Sequence, residues 1–276
     1  MVEAPRIRII YEIVRFTKGK TIVLAGGPSY LKALVNIIDY MITKWWYAGK
    51  YIYVYLTKKD NQPYVVRTHM LMYGKITLNS TLANIKLKPF LFLELNDSSI
   101  LRWYLSQIKF LIPGCKIDMI KSNYTICSSK QSILESIIMR KYDISHSAYN
   151  QKEHLAHINE GIREKKNDII TDFLLDQKYF PGVGNILQQE ALYKCNLLPT
   201  TKIYNIEKKT ILCLVQQLKN TANLLYESYQ DKSHDLPHKS IFQIYHKKFC
   251  PLLHKTITKY LGFRNRRTTW CPICQT

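Results

Sequence analysis

The chain has 276 residues, enough for one large core or two modest ones, with an ordinary 46% of hydrophobic and 22% of charged residues. Its net charge of +20 favours a polyanionic partner, because neutralising phosphates releases condensed counterions. No run approaches ~18 consecutive apolar residues, and Arg6 and Arg8 are interleaved with isoleucines rather than followed by a long apolar stretch. The sequence therefore predicts neither a membrane span nor a secretory signal, and the protein is read as soluble and intracellular. From Pro5 to about Lys18, Ile7, Ile10, Tyr11 and Val14 form the apolar stripe of an amphipathic helix that Pro5 can open. Strand-like segments follow at Thr21–Leu24, Tyr51–Thr57, Tyr64–Met72, Phe90–Leu95 and from Ile100 to Ile112, rich in β-branched and aromatic residues and separated by turn formers. A helix followed by short strands points to a β-sandwich or barrel with the helix against it. Near Tyr142 the period changes, and Gln151–Asn159, Asp168–Gln177, Asn185–Cys195 and Ile206–Tyr229 read as helices.

The last segment is distinct. After Asp235 no carboxylate appears, while Lys239, Lys247, Lys248, Lys255, Lys259, Arg264, Arg266 and Arg267 do. Of seven cysteines, Cys115, Cys127, Cys195 and Cys213 sit in apolar or helical contexts and read as buried structural thiols. The other three fall in C-x3-H-x16-C-x2-C: Cys250, His254, Cys271 and Cys274. Two short-spaced ligand pairs joined by a hairpin-sized spacer suit a tetrahedral structural Zn²⁺, and no βαβ pattern supports a redox reading of the C-x2-C pair. His254 is the less regular ligand, with His246 as its substitute. Lys255–Trp270 would form a hairpin with a basic tip around Phe263–Arg267, either a β-ribbon for a groove or a structural finger whose arginines touch phosphate.

Asp176–Glu190 reads DQKYFPGVGNILQQE. The amides of Gly182–Asn185, opening a helix at Asn185, would make an anion site. A dinucleotide fingerprint is excluded, since no strand precedes it and Leu187 stands where a third glycine is required.

These motifs, in this order, resemble the formamidopyrimidine-DNA glycosylase/endonuclease VIII family over nearly the whole length. The carrying segments are MVEAP at the start, Gly49-Lys50, HMLMYG at His69–Gly74, LLDQKYFPGVGNILQQEALY at Leu174–Tyr193 and the terminal NRRTTWCPICQ. The resemblance implies an α+β fold: an N-terminal helix on a β-sandwich (1–140), a hinge (141–149), a helix–two-turns–helix domain (150–240) and a zinc finger (241–276), with DNA in the cleft between the halves. It further implies a base-excision glycosylase with abasic-site lyase activity, acting on oxidised pyrimidines and hydantoins and working as a monomer wherever the DNA is. Residue by residue, Val2 would be the nucleophile once Met1 is removed, Glu3 the acid/base, and Lys50 a phosphate contact near the site. Met72 would fill the gap left by a flipped nucleotide. Gly184 and Asn185 would bind phosphate at the turn, and Arg266 the flanking phosphates from the finger.

Two departures refine this. Most of the family starts with proline, whose condensation product is an obligate iminium; a valine amine gives an imine cationic only when protonated, so β-elimination should dominate over β,δ. Valine also aligns the chain with the valine-type Nei-like members of vertebrates and giant viruses. In Leu95–Tyr104 no arginine–phenylalanine plug for the vacated stack is evident, Arg102 and Trp103 reading better as a strand residue and a core aromatic. Because a single strand demands no wedge, single-stranded or bubble DNA should be preferred. The rival readings are a non-catalytic DNA- or RNA-structure-binding zinc protein on the same scaffold and a zinc-finger regulator of transcription. The latter is disfavoured by the missing recognition helix. The candidate base-reading loop, Asp231–Ser240, gives no chemical rule, and its His234 and His238 read as solvated.

Overall fold

A computed structural model describes residues 2–33, 35–80, 87–113, 125–128, 130–230 and 241–276. Met1, Cys115 and Asp231–Ser240 lie outside these residues, and the Cys127 side chain is likewise not described. The chain divides into two compact units, one of Met1–Val2 with Ile7–Ile138 and one of Glu3–Arg6 with Met139–Thr276. Among the described residues no helix is long and apolar enough to cross a membrane.

The first unit is a β-sandwich. Helix α1 (Ala4–Val14) buries Ile7, Ile10 and Val14, the stripe its periodicity prescribes, and helices α2 (Pro28–Ala33) and α3 (Lys130–Met139) follow it in the chain. Strands β1 (Ile22–Gly26), β5 (Lys75–Leu78), β6 (Leu91–Leu95) and β7 (Ile100–Tyr104) form one sheet in the order β1-β6-β7-β5. Strands β2 (Met41–Ala48), β3 (Tyr51–Thr57), β4 (Tyr64–His69), β8 (Gln107–Pro113) and β9 (Thr125–Ser128) form the other in chain order. The alternation in Leu91–Leu95, with Leu91, Leu93 and Leu95 buried, turns one face of β6 into a core shared with Ile52, Val54, Leu56 and Phe110 of the second sheet. Trp45 and Trp103 stack across this core at 6.4 Å, and Trp103 satisfies its indole N–H on Thr68 Oγ1 at 3.0 Å. Trp103 is thus the core aromatic that its strand position indicated.

The apolar run from Ile100 to Ile112 is two strands rather than one, broken at Leu105 and Ser106, with Leu105 at φ 47. Strand β2 escaped the sequence reading because nearly all of its second half, Trp45–Ala48, is buried, so no period-2 alternation remains to signal it.

The second unit is helical. Helix α4 (Gln151–Glu164) starts at Asn150, whose Oδ1 accepts from Glu153 N at 3.2 Å while its Nδ2 donates to Glu153 Oε1 at 2.8 Å, a reciprocal cap. Helices α5 (Ile170–Leu174), α6 (Asn185–Lys194) and α7 (Lys208–Gln230) pack Phe173, Leu187, Leu192, Leu214 and Leu218 into a second core. Strands β10 (Ile257–Leu261) and β11 (Arg266–Trp270) form the expected hairpin. Cys195 and Cys213 are not free thiols: they form a disulfide joining the end of α6 to α7, a pairing invisible at 18 residues' separation in sequence.

Within this core His154 has no exposure. Its Nε2–H donates to the Tyr179 carbonyl at 2.8 Å, leaving Nδ1 to accept from the Tyr149 hydroxyl at 3.2 Å. Burial, reinforced by nearby His157 and partly offset by the Tyr179 bond, lowers its pKa to about 4. A depressed pKa contributes stability that is present above the unfolded value near 6.5 and is lost as pH falls toward 4. The loss expected at pH 4 is about 3 kcal/mol. Denaturant unfolding of wild type and His154→Gln across this range should show a flatter profile in the variant; parallel profiles would remove His154 as the cause.

Candidate active site and metal centre

The glycine turn is built around a carboxylate of the chain itself. Gln177 closes the turn: its Oε1 accepts from Gly182 N at 3.0 Å and its Nε2 donates to Val183 O at 2.9 Å. Gly182 takes φ 83, a left-handed conformation that favours glycine, and its carbonyl accepts from Ala4 N at 3.1 Å. Glu3, only 3% exposed, then accepts from Ile186 N at 2.8 Å and Leu187 N at 3.1 Å in the first turn of α6. The anion predicted for this helix N-terminus is therefore the Glu3 carboxylate. A Cβ on Gly184 would lie 2.5 Å from Glu3 Oε1, so the second glycine is there to let the acid approach. Burial, and next the Glu3 charge, raises the Tyr229 phenol to about 12, and Arg6 stacks over the same ring at 5.1 Å.

Helix α6 is buried on every side from Asn185 to Tyr193, and its polar residues act as clamps. Asn185 Nδ2 and Gln189 Nε2 both donate to the Arg267 carbonyl, at 2.7 and 3.1 Å, and Gln189 Oε1 accepts from Thr269 N at 2.8 Å. The helix thereby fixes strand β11 and the exposed Arg266 at its start. Glu190, fully buried, accepts three backbone N–H bonds from Gln243, Ile244 and Tyr245, at 2.8 to 3.0 Å, anchoring the segment that enters the finger. At the hairpin tip, Asp172 of α5 accepts from Phe263 N at 3.1 Å. Its other oxygen would stand 2.2 Å from a Cβ on Gly262, which has φ 69.

The ligand atoms of Cys250, His254, Cys271 and Cys274 all lie within 4.8 Å of one another. Cys250 Sγ and Cys274 Sγ are 3.9 Å apart, and His254 Nδ1 lies 3.3 Å from Cys274 Sγ and 3.8 Å from Cys271 Sγ. A tetrahedron with Zn–S of about 2.3 Å and Zn–N of about 2.0 Å has edges of roughly 3.5 to 3.8 Å. The donor set fits a metal ion of that size and geometry, with His254, not His246, as the nitrogen ligand.

The first unit holds the remaining predicted residues. Val2 is buried at 7% exposure among the sandwich core side chains. Gly49-Lys50 is the two-residue turn of the β2–β3 hairpin, with Gly49 at φ 58. Across the neighbouring pair Tyr51↔His69, burial first, then the charges of Lys50 and Arg67, lower the His69 pKa. Neutral His69 accepts the Leu71 N–H on Nδ1 at 3.2 Å and so starts the loop that presents Met72, half exposed.

The comparisons with known proteins agree with this geometry. Residues 144–235 match the family described as the formamidopyrimidine-DNA glycosylase H2TH domain. Over 275 residues, covering the whole of both chains, the sequence is 50% identical to "Endonuclease 8-like L720" of Acanthamoeba polyphaga mimivirus. The chain belongs to the formamidopyrimidine-DNA glycosylase/endonuclease VIII family. Its fold is also that of a solved "viral DNA glycosylase", at 49% identity, full coverage of both chains and a TM-score of 0.91. The Lactococcus lactis Fpg in complex with DNA containing an abasic site shares the fold at a TM-score of 0.74 and 16% identity over 99% of both chains. "Endonuclease 8-like 3" of Bos taurus is 26% identical over 82% of this chain, which spans 33% of that protein's length.

Sequence reasoning missed Asp172, Gln189 and Glu190. The signal was there in part: polar side chains on a short helix with no apolar stripe, in a segment otherwise reading as core, must each have a buried partner.

Proposed function

We propose that the protein is a bifunctional DNA glycosylase and abasic-site lyase that removes oxidised pyrimidines and hydantoins through a Schiff base on the Val2 amine freed by loss of Met1. An α-amine titrates near pH ~8, against ~10.4 for lysine, so much more of it is free base at neutral pH. Its lone pair attacks the deoxyribose C1′ and the C1′–N bond to the damaged base breaks. The base leaves with the bonding pair and is protonated by water; the Glu3 carboxylate takes a proton from the newly bonded ammonium nitrogen and hands it to the ring oxygen as that oxygen leaves C1′ and the imine forms. Loss of a C2′ proton from the imine then expels the 3′-phosphate by β-elimination.

What carries the reading is Glu3: a buried carboxylate held by two amides of α6, covalently next to the proposed nucleophile. Lys50 and Arg266 supply phosphate contacts in this reading, Met72 fills the vacated stack, and Gly184 seats the acid. Asn185 serves the phosphate site by fixing the strand that bears Arg266. Zn²⁺ is the ion assigned to the Cys250–His254–Cys271–Cys274 cluster, where it would brace the hairpin without entering the chemistry. The domain limits 1–140, 150–240 and 241–276 belong to the same proposal.

Borohydride trapping on an oxidised-base or abasic oligonucleotide should give a covalent adduct with processed protein and none with protein whose N-terminus is blocked. Absence of an adduct from the processed form would favour a non-catalytic nucleic-acid-binding protein. On gels, the β-product should exceed the β,δ-product, and turnover on single-stranded or bubble DNA should exceed that on duplex; the reverse orders would refute the respective claims.

A further inference from the structure

The two turns that carry the metal ligands expose an apolar surface that no step of the proposed chemistry uses. Leu252 and Leu253 occupy the turn between Cys250 and His254, and Ile273 the turn between Cys271 and Cys274. All three are exposed, Leu253 to 80%, and so is Phe249 at the entrance to the first turn. Both turns close on the same four ligand atoms, which lie within 4.8 Å of one another, so these side chains flank one centre. Single exposed leucines are ordinary, whereas several large apolar side chains around one small centre mark an interaction surface.

The backbone presents them at a cost. Leu253 has φ 62, in the left-handed region that glycine or asparagine fills far more readily than leucine. The turn is locked in that shape: the Leu253 N–H donates to Cys250 O at 2.9 Å and the Cys250 N–H to His254 O at 3.0 Å. A leucine held rigidly in solvent on a strained backbone does nothing for the core, and its use lies in a surface that matches it.

The rim sets the charge of that surface. Lys248 and Lys255 are exposed on either side of the turn, where Phe249 bridges Lys255 and the Thr256 N–H donates to Lys248 O at 3.1 Å. From Ile241 to Thr276 no carboxylate side chain is present to answer them. A second copy of the chain would bring the same carboxylate-free finger and a net charge of +20, and is repelled. Arg266, the proposed phosphate contact, stands at the other end of the hairpin. At about 3.3 Å per residue, the pairs from Ile257↔Trp270 to Leu261↔Arg266 span roughly 13 Å. A bilayer takes up leucines without requiring a fixed backbone shape, so the locked turn favours a protein partner over a membrane.

We propose that these two turns dock an acidic protein segment, its apolar side chains covering Leu252, Leu253 and Ile273 and its carboxylates facing Lys248 and Lys255. The surface is independent of the excision chemistry, and a segment seated there leaves the arginine end of the finger to DNA.

The test uses the full, metal-loaded chain, with a display library of random peptides as the probe. Selection on wild type should enrich sequences that combine aspartate or glutamate with leucine, isoleucine or phenylalanine. The double variant Leu252→Ser/Leu253→Asn should bind the enriched peptides at least about ten-fold more weakly, the loss expected when anchors at an interface centre are removed. Lys248→Glu/Lys255→Glu should weaken them to a similar extent. Asparagine suits the left-handed position at 253, so Leu253→Asn alone should keep its metal content and hold or raise its thermal midpoint. The leucine variant should bind a single-stranded oligonucleotide and phosphatidylserine-containing vesicles as wild type does. Failure to enrich any peptide, enriched peptides without carboxylates, or undiminished binding by both double variants would overturn the inference. Loss of oligonucleotide or vesicle binding in the leucine variant would overturn it in favour of DNA or a membrane.

Discussion

Gly184→Ala should slow base excision as severely as Glu3→Gln, by about 10²- to 10⁴-fold, although residue 184 has no chemistry of its own. Gly184 has φ −130, an ordinary extended value that alanine adopts without strain. The obstacle is the Glu3 carboxylate, 2.5 Å from the new methyl carbon at Oε1 and 2.6 Å at Cδ. The methyl and the seated acid cannot coexist, because backbone amides hold the acid on one side and α6 begins on the other. The variant must expel Glu3, stranding the Ile186 and Leu187 N–H groups at a cost of about 1–2 kcal/mol, the range for a lost helix cap. The fold should survive that loss while the acid no longer reaches the sugar. Single-turnover excision with a parallel thermal melt reads both effects. Wild-type excision by Gly184→Ala would mean that the seating of Glu3 is irrelevant to the reaction.

The second large effect concerns the metal centre. Stripping the metal with a strong chelator, or Cys271→Ser, should release one zinc ion per chain and lower DNA affinity about 10- to 100-fold at physiological salt. The argument is one of geometry. Arg264, Arg266 and Arg267 are exposed on a hairpin with few apolar contacts of its own, so its position depends on the four ligands and on the clamps from α6. Freed from the ligands, the arginines lose their common orientation, and each phosphate contact given up should reduce the slope of log affinity against log salt by about 0.7 to 0.9. Arg266→Ala alone should remove about one contact from the slope and leave the metal in place. Unchanged salt dependence after verified metal loss would show that the finger does not carry phosphate binding.

Much of this was legible in the sequence because the signals were local. The stripe Ile7–Ile10–Val14 and the C-x3-H-x16-C-x2-C spacing each depend on residues within a turn or a hairpin of one another. Local geometry converts spacing into position. The helix periods of α4 and α7 and the β content of the first half were fixed in the same way.

Tertiary structure alone decided which group fills the helix N-terminus at the glycine turn. Glu3 meets Ile186 and Leu187 across 183 and 184 residues, and no local rule links positions so far apart. The same holds for Asp172 at the hairpin tip, for Gln189 on β11, and for the Cys195–Cys213 disulfide. Sequence supplied polar residues in an apolar setting; burial then forced each to find a partner, and only the packed chain determines which partner is within reach.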